Sequence, residues 1–151
     1  ALREFIDSRI KEGKKIENVL SKKTKGIEKI AQSIKNMEKK TLNKRIKNYK
    51  NKIKNLIEDF DETRLDQEVA MLALKHDISE ELDRIFFHTK TINEELRKKT
   101  SNGKKIDFIL QELFRESNTL SVKIDDSKLK NAALDMKLLV EEMREQTQNV
   151  E

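Results

Sequence analysis

The sequence predicts an all-α protein, in which a long antiparallel helical hairpin precedes a small C-terminal helical bundle. Proline is absent, glycine occurs only three times, and apolar residues recur at steps of three and four along most of the chain. Because turn-forming residues are so scarce, helices are free to run long. Only 35% of the residues are hydrophobic and 40% are charged, so elongated helices are expected rather than one round core.

Residues 1–61 are predicted to form a basic, coiled-coil-like helical arm. Their apolar stripes are narrow, which is typical of a coiled-coil seam, and we expect two helices to pair with a turn between Lys39 and Asn43. Residues 1–60 hold 18 Lys and Arg against 8 Asp and Glu, a balance of +10. This charge favours a polyanion partner, since each neutralised phosphate releases counterions. The alternative is compositional bias, because Lys, Asn and Ile are enriched together.

Residues 62–151 are predicted to form the C-terminal helical domain. Asp77, with Glu80 three residues later, has the pattern of a capping box at the start of a helix. The segment from Lys98 to Lys105 contains Asn-Gly and is expected to be a loop. Ser127, preceded by two aspartates, marks the start of the last helix.

Composition also limits the class of protein. No cysteine is present, so disulfides and thiolate metal sites are excluded, and two histidines leave little room for a zinc site. No apolar stretch approaches the roughly 20 residues of a membrane span, so no membrane contact is expected, and the cytoplasm is the predicted location. The chain begins at Ala1 within a helical pattern, as expected of a fragment of a longer protein.

The candidate functional residues are carboxylates and one histidine. Asp77, Glu81, Arg84 and His88 follow one another at spacings of four, three and four, which places them along one stripe of a helix. A later helix carries Glu112, Arg115 and Glu116 beside its apolar face. If the two helices pack together, the following residues could share a divalent cation, with an arginine nearby to hold phosphate: Glu81, His88, Glu112 and Glu116.

A purely structural interpretation competes with this one. Carboxylates four residues apart are common on any solvated helix, and a single histidine near an apolar stripe is more often a packing residue than a ligand. Capping alone explains Asp77. His76 is expected at the surface.

Several strings of residues resemble the YicC/YloC family of bacterial endoribonucleases. The strings are Arg64-Leu65-Asp66-Gln67-Glu68-Val69-Ala70, Asp77 to Arg84 with His88, Gly103 to Phe108, Gln111-Glu112, Arg115 to Leu120, Lys123, and Glu142 to Glu151. They keep the family's order and spacing over about Glu62 to Glu151. The chain departs from the family at Phe86-Phe87, where relatives usually carry smaller or polar residues, and at Phe114, where many have Asn.

The resemblance implies a metal-dependent endoribonuclease acting on single-stranded RNA, assembled as a ring-like hexamer. It also implies an N-terminal α/β domain, which this chain lacks. The expected cofactor is a divalent cation, manganese or magnesium. The expected catalytic residues are His88, Glu112, Arg115 and Glu116, and the expected metal ligands are Glu81, His88, Glu112 and Glu116. The basic arm and the Lys98 to Lys105 loop would collect RNA through Lys44, Arg45, Lys47, Lys50, Lys104 and Lys105.

Two other functions remain open at this point. One is an RNA-binding adaptor without chemistry of its own, in which Glu112 and Glu116 only pair with arginines. The other is a structural module for homo-oligomerisation. Arg64, Gln67 and Glu68 are either catalytic or interface residues, and the terminus at Arg144-Glu145-Gln146 is expected to pack between subunits.

Overall fold

A computed structural model describes residues 1–56, 61–75 and 77–148, with backbone only for residues 73–75. Within these ranges every regular element is a helix, which confirms the all-α prediction. The helices are α1 (Leu2–Leu56), α2 (Glu62–Lys75), α3 (Ser79–Leu96), α4 (Gly103–Lys123) and α5 (Ser127–Gln148). No helix in the described ranges is long and apolar enough to cross a membrane. His76, expected at the surface, lies outside the described residues.

The first helix, α1, is continuous over 55 residues. The prediction of a turn between Lys39 and Asn43 was wrong, because the helix runs through this segment without a break. The segment holds neither glycine nor proline, and the Thr41 hydroxyl donates to the Met37 carbonyl at 3.0 Å within the same helix. A run of polar residues alone therefore does not end this helix.

The end of α1 lies beside the start of α2. These two helices contact each other, and the Lys50 ammonium lies 3.3 Å from the Asp66 carboxylate. Lys50 stands near the end of α1 and Asp66 near the start of α2, so the contact joins their adjacent ends. Leu65 and Val69 are the buried residues of α2. The division into an arm of residues 1–61 and a domain of residues 62–151 stays a prediction.

The core is built from the middle of α1 and from α3, α4 and α5. In α1 the buried residues are spaced by three, four and seven positions, which keeps them on one face of the helix. They are Leu20, Thr24, Ile27, Ala31 and Ile34. This face packs against α3 and α5, while α4 packs against α3 and α5 from the other side. Gly26 permits close approach to α5, since a Cβ there would lie 3.3 Å from the Leu139 Cδ1 atom.

Side-chain caps fix the starts of the later helices. Asn102 accepts hydrogen bonds from the backbone N–H groups of Lys104 and Lys105, at 3.1 and 3.4 Å, and thereby starts α4. Asp126 does the same for α5, accepting from Lys128 and Leu129 at 3.0 and 3.1 Å. The predicted break before Ser127 is therefore confirmed, and the predicted loop is confirmed for residues 98–102, whereas Gly103, Lys104 and Lys105 belong to α4.

Asp77 acts at the start of α3. Its carboxylate accepts from both the backbone N–H and the hydroxyl of Ser79, at 2.9 and 2.7 Å. These two bonds, to the hydroxyl and then to the N–H, lower the pKa of Asp77. The helix begins at Ser79, with Ile78 at the N-cap position, so Asp77 precedes the cap itself.

Candidate functional site: the α3–α4 seam

The α3–α4 seam is the line along which these two helices pack in opposite directions. Ion pairs join the start of α3 to the end of α4, and the end of α3 to the start of α4. Its interior is apolar, with Leu82, Ile85 and Ile92 from α3 and Leu110, Leu113 and Leu120 from α4. Three carboxylates border this interior although their side chains are only 4–7% exposed: Glu81, Glu95 and Glu116. A buried carboxylate needs a compensating partner, and each has at least one cation.

Glu81 pairs with Lys123 at one end of the seam. The Lys123 ammonium donates to Glu81 Oε1 at 2.7 Å and to the Asp77 carbonyl oxygen at 3.3 Å. The other carboxylate oxygen, Glu81 Oε2, is buried and has no hydrogen-bond partner among the described residues. Nearby, burial and then the Asp77 carboxylate raise the pKa of Glu38, on α1. This end of the seam therefore gathers acidic groups around the Lys123 ammonium, and the Lys35 ammonium also acts on Glu38.

Arg84 lies at the middle of the seam between two glutamates. Its Nη1 atom is 3.4 and 3.5 Å from the two oxygens of buried Glu116, and its Nη2 atom donates to Glu80 on its own helix. The Arg84 side chain remains 49% exposed. A guanidinium held on one side by carboxylates and open to solvent on the other can still approach an anion.

His88 lies one turn further along α3 from Arg84, on the same face. It is half-buried, and its ring meets the Phe87 ring edge-on with 5.6 Å between centroids. On α4, Glu112 is 25% exposed and lies 3.5 Å from the exposed Arg115 guanidinium. Solvent can therefore reach an imidazole and a guanidinium group on α3, and a carboxylate and a guanidinium group on α4.

The four predicted metal ligands were tested against this arrangement. Among the residues that the structure describes, no three His, Cys, Asp or Glu side chains stand close enough to hold a metal ion together. Glu81 and Glu116 each face a cation instead. As arranged in one chain, the four residues do not fit a single shared ion, and their role as ligands stays a prediction.

Glu95 anchors the loop at the other end of the seam. Its carboxylate accepts from Lys98 Nζ at 3.0 Å and from the Asn102 backbone N–H at 3.2 Å, and it pairs with Lys105 Nζ at 3.2 Å. The hydrogen bond from Lys98, followed by those from Asn102 and Lys105, lowers the pKa of Glu95 to about 2. One side chain thus fixes the path of the whole α3–α4 loop.

The six predicted RNA-binding residues fall into two groups. Lys44, Lys47 and Lys104 are exposed. The other three meet carboxylates: Arg45 with Asp125 at 2.6 Å, Lys50 with Asp66 at 3.3 Å, and Lys105 with Glu95 at 3.2 Å. The exposed group keeps its ammonium groups available for a ligand.

Sequence reasoning did not assign the roles of Lys123 and Glu95. Both stand within helical apolar stripes, since Glu95 lies three residues after buried Ile92 and Lys123 lies three residues after buried Leu120. A charge within an apolar stripe was the available signal.

Phe114, where the chain departs from the family pattern, contacts two cationic side chains. Its ring lies under Lys137 Nζ, at 5.1 Å, and under Arg144 Cζ, at 5.8 Å. The contact joins α4 to α5 beside the seam. It gives Arg144 a partner within its own chain.

The described residues form an all-α domain with buried ion pairs along the seam between α3 and α4. The family described as "Endoribonuclease YicC-like, C-terminal" matches residues 27–151, and the chain belongs to this family. It is 33% identical over 150 residues to the probable endoribonuclease YicC of Haemophilus influenzae, covering 99% of this chain and 52% of that protein. It is 35% identical over 161 residues to the probable endoribonuclease YicC of Clostridioides difficile, covering 100% and 53%. The chain thus spans about half the length of the curated relatives it matches.

Replacing Lys123 with Met should destabilise the chain by about 2 kcal/mol, because it leaves the Glu81 charge buried without its ammonium partner. In a Glu81→Gln background the same replacement should cost less, since no charge remains to be compensated. Urea denaturation of the four proteins in the cycle measures this coupling. Equal costs in both backgrounds would show that the pair does not interact in solution.

Replacing Glu95 with Gln should lower stability in a pH-dependent way. The pKa of Glu95, about 2 in the fold, lies below its ordinary value of 4.5, so the ionised group stabilises the fold fully above pH 4.5. This contribution is lost as the pH falls towards about 2. The difference in urea midpoint between wild type and variant should therefore be largest at pH 7 and shrink below pH 4.5, and a difference independent of pH would contradict the assignment.

Proposed function

We propose that this chain is the helical part of an endoribonuclease that cleaves single-stranded RNA. The observation that carries the proposal is the family match over residues 27–151, together with two whole-chain relatives named probable endoribonucleases. The accessible charges of the α3–α4 seam supply suitable chemistry. Cleavage of a phosphodiester requires groups that stabilise the anionic transition state and groups that transfer protons.

Arginines at the seam suit the first task. Arg84 is positioned by Glu80 and Glu116, and its exposed side can hold a phosphate through two parallel hydrogen bonds. Arg115, held more loosely by Glu112, offers a second contact from the facing helix. A guanidinium already fixed by carboxylates loses little conformational freedom when it meets the substrate.

Proton transfer is assigned to His88 and Glu112. An imidazole changes its charge near neutral pH, and a partly exposed carboxylate accepts a proton readily, so the two residue types form a workable acid and base. His88 lies on the same face of α3 as Arg84, and Glu112 lies beside Arg115 on α4. Buried Glu116 is then a positioning residue, because it acts through Arg84.

Divalent metal dependence is part of the proposal and comes from the family resemblance. A manganese or magnesium ion would neutralise phosphate charge. Glu81 and Glu116 face cations in the described chain. Chelation of the full-length protein tests the requirement directly.

RNA collection is assigned to exposed lysines of the basic arm and of the α3–α4 loop. Lys44 and Lys47 project from α1 into solvent, and Lys104 projects from the start of α4. Assembly into a homo-oligomer, a hexamer in the family resemblance, would place several basic arms around one RNA. Once one arm binds, the others would meet the same RNA at a high effective concentration. The competing functions are a non-catalytic RNA-binding adaptor and a structural oligomerisation module.

Glu112→Gln and Glu116→Gln should each reduce cleavage of a labelled single-stranded RNA by the full-length protein at least about 100-fold, with RNA affinity nearly unchanged. Glutamine keeps the volume of the side chain and removes its charge. His88→Ala should also lower the rate. Glu94→Gln, an exposed glutamate on α3, is the matched control and should cleave as the wild type does.

Measurements with and without chelator separate the rival functions. Cleavage that stops with chelator supports the metal-dependent nuclease, binding without cleavage indicates the adaptor, and assembly without RNA binding indicates the structural module. If Glu112→Gln and Glu116→Gln both keep full activity, the site lies elsewhere. The next candidates are then Arg64, Gln67 and Glu68, which lie exposed on α2.

A further inference from the structure

A cavity of about 800 Å³ lies beyond the Glu95 end of the seam, between the first third of α1, the α3–α4 loop and the end of α5. Its apolar side consists of Ile10, Ile16, Leu20, Leu96 and Ile106. Its polar side includes Lys14, Glu17, Lys99 and Lys104. The volume falls within the range of roughly 300 to 1,000 Å³ that is usual for small-ligand sites.

The lysines of the α3–α4 loop and of the first turn of α4 divide by their partners. Lys98 and Lys105 both pair with the one carboxylate of buried Glu95. Lys99 and Lys104 line the cavity, and none of the acidic side chains that the structure describes forms an ion pair with them. Because Glu95 also binds the Asn102 backbone, its carboxylate holds the loop so that the two unpaired lysines face the cavity together.

Lys14 faces them from α1. Lys14 also has no ion pair with a described residue. Three ammonium groups without such a pair therefore line the cavity, and the Glu17 carboxylate lines it as well. Like charges held together repel one another, and this repulsion is relieved when a polyanion binds and releases its counterions. The cavity therefore combines an apolar wall with a cationic rim, as a nucleotide requires.

We propose that this cavity binds one unpaired nucleotide of single-stranded RNA. The phosphate contacts Lys14, Lys99 and Lys104, and the base lies against the apolar wall formed by Ile10, Ile16 and Leu96. The Glu17 carboxylate accepts hydrogen bonds from ribose hydroxyl or base amino groups. The inference deepens the proposed function, on which it rests, by giving the substrate strand a subsite outside the reacting centre.

The subsite is separate from the groups assigned to cleavage. Leu96 and Arg84 are twelve residues apart on α3, which is roughly 18 Å along a helix. A strand anchored in the cavity can therefore continue along the exposed edge of the seam towards Arg84. Binding in the cavity would fix the register of the strand and select unpaired RNA, because a paired base cannot enter the cavity.

A protein segment is the competing occupant. Leu2, Phe5, Ile6 and Ile10 are 48–74% exposed on α1 and continue the apolar wall of the cavity along the helix. A protein segment that covered the cavity itself would, however, bury three ammonium groups. Their desolvation would cost more free energy than the contact gains, unless each ammonium group met a carboxylate. The lysines favour RNA.

The test measures binding of a fluorescein-labelled 12-nucleotide oligoadenylate to the full-length protein by anisotropy, with chelator present. Replacing Lys14, Lys99 and Lys104 together with Gln should weaken binding about tenfold or more and lower the slope of log affinity against log salt by roughly 0.7, the value for one phosphate contact on a single strand. The control replaces three exposed lysines away from the cavity and the arm, Lys90, Lys128 and Lys130. An equal effect of both triple replacements would overturn the proposal.

A second variant fills the cavity without changing charge. Gly13 lines the cavity, and a Cβ added there meets nothing within 4 Å, so Gly13→Phe should fold and occupy the space. We expect about tenfold weaker oligoadenylate binding and unchanged sedimentation. Gly13→Ala, the matched control, should bind as the wild type does. If Gly13→Phe disrupts the assembly but binds RNA normally, a protein segment occupies the cavity and the proposal is wrong.

Cleavage, measured separately, distinguishes this inference from the proposed function. If the wild-type protein does not cleave RNA but the cavity variants bind RNA more weakly than it does, the subsite is supported and the nuclease function is contradicted. Normal binding by these variants, in a protein that cleaves, contradicts the subsite alone. A wild-type protein that neither binds nor cleaves RNA contradicts both.

Discussion

The opposed packing of α3 and α4 is the constraint on which the rest of the structure depends. Leucine and isoleucine side chains from both helices bury the interior of this seam, and glutamates within the stripe are carried into the same dry environment. A charge held there must be matched by a cation, so the register of the two helices is restricted to one that brings Lys123 to Glu81 and Lys105 to Glu95. The apolar contacts supply the stability, and the ion pairs specify the alignment.

This alignment places different chemistry at the two ends and at the middle of the seam. At one end, Glu95 uses all its contacts to hold the loop, and unpaired lysines are left facing the neighbouring cavity. At the middle, Arg84 is held from below by Glu116 yet remains half-exposed. Strands of RNA carry regularly spaced phosphates. Arg84 and the cavity lysines are cations at separate positions, so together they suit such a strand better than they suit a single small anion.

Helix content, the loop with its Asn102 cap and the break before Ser127 were predictable, because each follows from local residue chemistry. The continuity of α1 was not, since a polar segment without glycine or proline gives no local signal for or against a turn. Within the site, the apolar stripes of α3 and α4 allowed the two helices to pack together but did not establish that they do. The partners of Glu81 and Glu116 were not, because Lys123 and Arg84 become neighbours only through tertiary packing. Periodicity places a carboxylate on a face but leaves open whether a metal ion or an ammonium group will meet it.

The proposed function requires the middle of the α3–α4 seam to hold the group that binds the reacting phosphate. Single-turnover cleavage of a labelled single-stranded RNA by the full-length Arg84→Gln protein tests this most directly, with thermal unfolding as a check that the variant is folded. The account predicts a folded protein whose rate falls about 100-fold, because glutamine cannot offer the charged, forked contact of a guanidinium. A folded variant that cleaves at the wild-type rate would contradict it.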